Sequence, residues 1–132
     1  MLQITRQSDY AIQLVNRLAS LAEGERLSLR QFSNESTISF LFLQKIARLI
    51  KRAGIIDSRK GAKGGYVLKK SAKSISFKDI VETIEGPYGV VDCVKNKHLC
   101  NKIKHCQGQD AWRKVNNDIL KMLENTFIIK DK

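Results

Sequence analysis

The sequence predicts a mainly α-helical fold with one small β-hairpin, in which a compact N-terminal unit is followed by a long, separate C-terminal helix. Three observations carry this. Apolar residues recur at helical spacing in five segments; a single glycine-rich turn, "KGAKGG", separates two short runs rich in Ile, Val and Tyr; and the only proline, Pro87, falls between the fourth and fifth helical segments. At 132 residues, 42% of them hydrophobic, the chain suits one domain, or a small domain with a docking or dimerisation arm.

Ser8 reads as the N-cap of the first helix, after which Ala11, Ile12, Val15, Leu18, Ala19 and Ala22 recur until Gly24 ends the run. A second cap, Ser28, opens the short segment "LRQFSNE", and "STIS" interrupts before "FLFLQKIARLIKRAG". In that third run Leu43, Ile46, Ala47, Ile50 and Ala53 share one side and Gln44, Lys45, Arg48, Lys51 and Arg52 the other, with Gly54 as the stop. Three helices with a tight polar turn before a basic third one suggest a helix-turn-helix. The hairpin "IIDSRKGAKGGYVLKK" then gives it a wing with a basic tip. A fourth helix, "SFKDIVETIEG", has Ser76 as cap, Asp79 at the third helical position and Gly86 before Pro87.

From Pro87 to about Gln109 no periodicity is readable. The last segment, "DAWRKVNNDILKMLENTFIIK", carries Trp112, Val115, Ile119, Met122 and Leu123 as an apolar stripe on about eighteen residues of helix, roughly 27 Å long. That is long for so small a protein, and it suits pairing between two chains. The expected organisation is a winged helix-turn-helix domain over residues 1–86, a cysteine loop over 87–109, and a dimerisation helix with its tail over 110–132.

Twenty-four Lys and Arg oppose thirteen Asp and Glu, a net charge of +11, and their placement is uneven. The first 38 residues hold four of each sign, whereas residues 39–73 hold ten basic residues against Asp57 alone. Segregation of this kind within a folded segment points to a polyanion partner rather than to solvation only. A recognition helix laid in the major groove of double-stranded DNA would bring its first turns to the base edges, here Ser39, Phe40, Leu41, Gln44 and Lys45, with Gln44 the natural hydrogen-bonding reader. Arg48, Lys51 and Arg52 would meet phosphates, and Arg59, Lys60 and Lys63 on the wing tip suit the minor groove. The start lacks the apolar core of a signal peptide, and the longest strongly hydrophobic run is "FLFL", so a cytoplasmic protein without membrane attachment is expected.

The fourteen residues "CVKNKHLCNKIKHC" hold all three cysteines and both histidines. An odd number of thiols in a reducing compartment argues against a disulfide framework. The separations of six and five residues do not match the close pairs of structural zinc sites; zinc and an iron-sulphur cluster are the metal candidates, and the wide spacing favours the cluster. Thiol oxidation without metal is the nearest alternative. A Cys/His enzyme has no orienting acid or cofactor motif to support it, and a basic inhibitor of an acidic partner protein is the remaining reading.

The stretch "ISFLFLQKIARLIKRAGIIDSRKGAKGGYVLKKSAKSISFKDIVETIEGP" resembles the central signature of the Rrf2 family of bacterial winged-helix transcriptional regulators, most specifically in "GAKGGYVL" and "DIVETIEGP". "TRQSDYAIQLVNRLA" and "WRKVNNDILKMLENTF" are similar to the family's two ends, so the resemblance spans nearly the whole chain. It implies a homodimer on a palindromic operator, with the last helix crossing to the partner, and a regulator, expected to repress, that senses iron-sulphur status, nitric oxide, iron or redox state. One departure is Phe42, where many members have tyrosine. Cluster-binding members carry three cysteines in this loop, matched here by Cys93, Cys100 and Cys106. For the fourth ligand, the histidine of IscR-like members falls on Gln109 and fails, whereas the carboxylate of NsrR-like members, donated by the other subunit, falls on Asp9. His98 and His105 are the other choices.

Overall fold

The structure is a computed structural model that describes residues 4–61, 64–87, 89 and 108–128. Helices α1 (Arg6–Ala19), α2 (Leu29–Ser36) and α3 (Phe40–Arg52) come first; a hairpin of β1 (Ile56–Arg59) and β2 (Gly65–Leu68) follows, then a 3-10 turn (Ala72–Ser74), α4 (Phe77–Glu85) and α5 (Gln109–Glu124), and α1 packs on α3 and α4. The winged helix-turn-helix predicted from sequence is therefore present. Its core is one cluster in which Leu14, Leu43, Ile46, Ile50, Ile75 and Ile80 are fully buried. All but Ile75, which lies just before α4, are inward residues of helices with well-segregated faces, as the spacing requires.

Ser8 is not the cap of α1. The boundary falls at Thr5, and Ser8 lies inside the first turn, fully buried, with a hydroxyl that has no hydrogen-bond partner among the described residues. The helix also stops at Ala19, before Gly24, whose φ of +84° instead serves the turn that follows. Ser28 does cap α2, accepting a hydrogen bond from the Gln31 backbone N–H at 3.0 Å. Between α2 and α3, Thr37 takes a left-handed φ of +63°, Ser36 Oγ donates to the Phe32 carbonyl at 2.6 Å, and Ser33 Oγ donates to the Ile38 carbonyl at 2.5 Å. These hydroxyls fix the turn while Ile38 plugs the core beneath it. Ala53, expected on the inner side of α3, is its exposed C-cap.

The hairpin is antiparallel with Ile56 opposite Leu68 and Arg59 opposite Gly65. A third short piece of chain joins it, because Leu27 and Tyr66 exchange backbone hydrogen bonds at 3.1 and 2.8 Å. Gly65 is what permits this approach: a Cβ there would stand 2.8 Å from the Leu27 carbonyl oxygen. Ser76 and Asp79 form a reciprocal capping box at the start of α4, with bonds of 3.1 and 3.0 Å.

Helix α5 ends at Glu124, and the chain then leaves the helical path that the sequence periodicity suggests for it. The Phe77 N–H donates to the Thr126 carbonyl at 2.8 Å and the Ile128 N–H to the Ile75 carbonyl at 2.9 Å, which buries Ile128 in the core beside the start of α4. Along α5, Asn116 is buried, while Trp112, Val115 and Met122 of the predicted stripe are exposed. Among the described residues no helix is long and apolar enough to cross a membrane.

Candidate nucleic-acid interface

Helix α3 is anchored by Leu43, Ile46, Ala47 and Ile50 and turns its other side outward. Ser39, Leu41, Gln44, Lys45, Arg48, Lys51 and Arg52 are exposed on it, and Arg59 and Lys60 are exposed at the wing. Lys63 lies outside the described residues. Lys45, Arg48, Arg52 and Lys60 form no ion pair among the described residues, so this face carries uncompensated positive charge. Arg59 is partly offset by Asp57 at 3.3 Å. The Lys51 ammonium donates to Ser58 Oγ at 2.7 Å, tying the end of α3 to the wing and fixing the angle between the two basic elements.

Phe40 differs from its neighbours in being half-buried, packed on the core beneath the Arg30 guanidinium, which lies 4.4 Å from the ring centroid. Arg30 belongs to α2, in the charge-neutral part of the chain, so a count of local charge passes over it. With Ser28, Phe40, Gln44, Arg48, Lys51 and Tyr66 it lines a groove of about 550 Å³ between the helix-turn-helix and the wing. The signal that could have found it is the Ser28 cap, which fixes the start of α2 and hence the direction of its second residue, Arg30.

Beyond the core packing of Leu14, Val15 and Leu18, two further contacts join α1 to this unit. Arg17 donates to both Glu35 oxygens, at 2.9 and 3.2 Å. Glu35 is held below the ordinary carboxylate range, first by that guanidinium and then by Gln31, and Arg17 is raised in turn. A depressed carboxyl stabilises the fold at neutral pH and loses that contribution as pH falls through its own titration. The second contact is Tyr10 edge-on to Phe42, centroids 5.5 Å apart, so the ring that lacks the family's hydroxyl serves packing between α1 and α3.

Asp9 is exposed in the first turn of α1, where its carboxylate accepts a hydrogen bond from Gln13 Nε2 at 3.0 Å. One turn away, the Thr5 N–H donates to Glu85 at 3.2 Å, which places the start of α1 beside the end of α4, from which the cysteine segment departs. Cys93, Cys100 and Cys106, like His98 and His105, lie outside the described residues, and among the described residues no three His, Cys, Asp or Glu side chains gather as a metal site. The donor set nonetheless fits an iron-sulphur cluster in kind: three thiols that can ionise and one exposed carboxylate with no cationic partner among the described residues.

A family model described as "Rrf2: Iron-dependent Transcriptional regulator" matches residues 4–129. The chain is 27% identical to Protein rrf2 of Nitratidesulfovibrio vulgaris over 130 residues, which cover 98% of this chain and 86% of that protein. Among solved structures it is similar to CymR, the global cysteine regulator of B. subtilis, with a TM-score of 0.80 and 24% identity over 97% of this chain and 94% of that one. It is also similar to IscR of T. potens, with a TM-score of 0.76 and 22% identity over 96% and 83%. At those identities the two structures speak for the fold.

Proposed function

The chain belongs to the Rrf2 family of transcriptional regulators, and from that premise we propose that it binds a double-stranded DNA operator as a homodimer and senses its signal through an iron-sulphur cluster on Cys93, Cys100 and Cys106, with Asp9 as the fourth ligand. The observation that carries the DNA-binding part is the uncompensated basic face of α3 set beside the wing; on it Ser39, Phe40, Leu41, Gln44 and Lys45 are assigned to the bases, Arg48, Lys51 and Arg52 to phosphates, and Arg59, Lys60 and Lys63 of the wing tip to the minor groove. The groove beside α3 is lined by the cations Arg30, Arg48 and Lys51.

The sensing part is supported by the donor set and by the exposure of Asp9 on the first turn of α1, which leaves it available for donation to the cluster of the other subunit. A bound cluster supplies redox- and nitric-oxide-sensitive iron. Cys93, Cys100 and Cys106 fall between α4 and α5 in the sequence, so a group held by them would bear on the pose of α5 and, in a dimer, on the distance between two recognition helices.

Purification without oxygen tests both parts on one sample. The expected protein is brown, contains iron and sulphide, and becomes colourless when any of the three cysteines is changed to Ala; Asp9→Ala leaves a labile cluster. The loaded and stripped forms differ in gel-shift affinity for a selected operator, and binding falls about a thousandfold between 50 and 200 mM salt if six phosphates are contacted. A colourless protein with stoichiometric zinc defeats the cluster. Iron-free protein whose DNA affinity responds to thiol oxidation transfers sensing to the cysteines alone.

A further inference from the structure

Leu41 is, at 75%, the most exposed large apolar side chain among the described residues. It stands at the second position of α3. With roughly 100° between successive residues, Leu43, Ile46, Ala47 and Ile50 define the buried side of the helix, and Leu41, Arg48 and Arg52 run along the line opposite. The outermost ridge therefore begins with an aliphatic side chain and continues with two guanidinium groups. Helical side chains lean toward the N-terminus, so Leu41 reaches ahead of the first turn.

A protein pocket that enclosed Leu41 would also have to desolvate Gln44, Lys45 and Arg48 around it, at a cost that one leucine does not offset. A DNA groove presents no such conflict. Phosphates along its rim meet the cations, and its floor offers one apolar group, the C5 methyl of thymine. Gln44, one turn further and also exposed, carries a donor and an acceptor matched to adenine N6 and N7. We propose that Leu41 is a specificity-determining residue that packs on a thymine methyl in each operator half-site, so that the first turn of α3 selects A·T pairs. This rests on the DNA-binding reading above and adds the base that is chosen.

The test uses the full-length protein and a pool of random-sequence duplexes. The operator recovered by selection is remade with deoxyuridine in place of thymine, one position at a time, which removes a methyl and nothing else. The expected result is one position per half-site where the replacement weakens the unsubstituted protein about fourfold, the loss of one buried methyl, and about fifteenfold when both half-sites are changed. Leu41→Ala keeps the thermal stability of the parent, binds the thymine operator more weakly, and shows no response to deoxyuridine at that position. Full deoxyuridine sensitivity in Leu41→Ala, or an operator where no such replacement matters, overturns the assignment and leaves the DNA-binding reading standing. A pool from which no sequence is enriched overturns both.

Discussion

Around α3 the inward apolar side chains are closed off between α1, α2 and α4, whereas α5 leaves Trp112, Val115 and Met122 at 46%, 43% and 63% exposure. The first region has completed its core within one chain. The second, among the described residues, has not: burying those three side chains would contribute about 5 kcal/mol per chain before ordering costs, which supports the homodimer proposed above. Charge divides the molecule along the same line. The exposed face of α3 is cationic, which suits a polyanion, while the exposed face of α5 mixes aromatic and aliphatic groups, which suits another protein surface.

The largest effect is expected where this contrast is attacked directly. Trp112→Glu with Met122→Glu should convert a dimer to a monomer in sedimentation and weaken operator binding by more than about a hundredfold, because two half-sites are no longer held together, with little change in thermal unfolding. A variant that still sediments as a dimer would place the chain–chain contact elsewhere. Next in size, Ile128→Ala should cost about 3 kcal/mol in denaturant unfolding, since it removes a buried side chain of the core from a tail that only looks peripheral in sequence. The smallest effect is a gain. Ser8→Ala removes a buried hydroxyl with no partner among the described residues and should stabilise the protein by up to about 1 kcal/mol; a loss instead would show that the hydroxyl bonds to the segment beyond α4 or to a second chain.

Most of the α3 region was legible because its signals are local. The caps Ser28 and Ser76, the box partner Asp79 and the stop Gly54 each act within one turn of the chain, and the faces of α3 are set by spacing alone. What escaped depends on pairing across long separations. The bridge between Leu27 and Tyr66, the Arg30 guanidinium over Phe40, and the return of residues 126–128 to 75–77 have no periodic signature. Ser8 misled for a related reason: its cap preference is real, but the helix starts earlier and the hydroxyl is carried inward. Of the candidate site, the described α3 and wing residues are exposed together apart from half-buried Phe40, Lys63 lies outside the described residues, and Asp9 is singled out by resemblance rather than by chemistry of its own.

The backbone bonds from Thr126 and Ile128 to the start of α4 also make a mechanical circuit. The chain leaves α4 at Gly86, passes through the cysteine segment and α5, and is fastened again at the other end of α4. Helix α5, about 24 Å long, also packs along α4 and buries Asn116 midway, so the stretch that leaves α4 at Gly86 is closed back onto the helix it left.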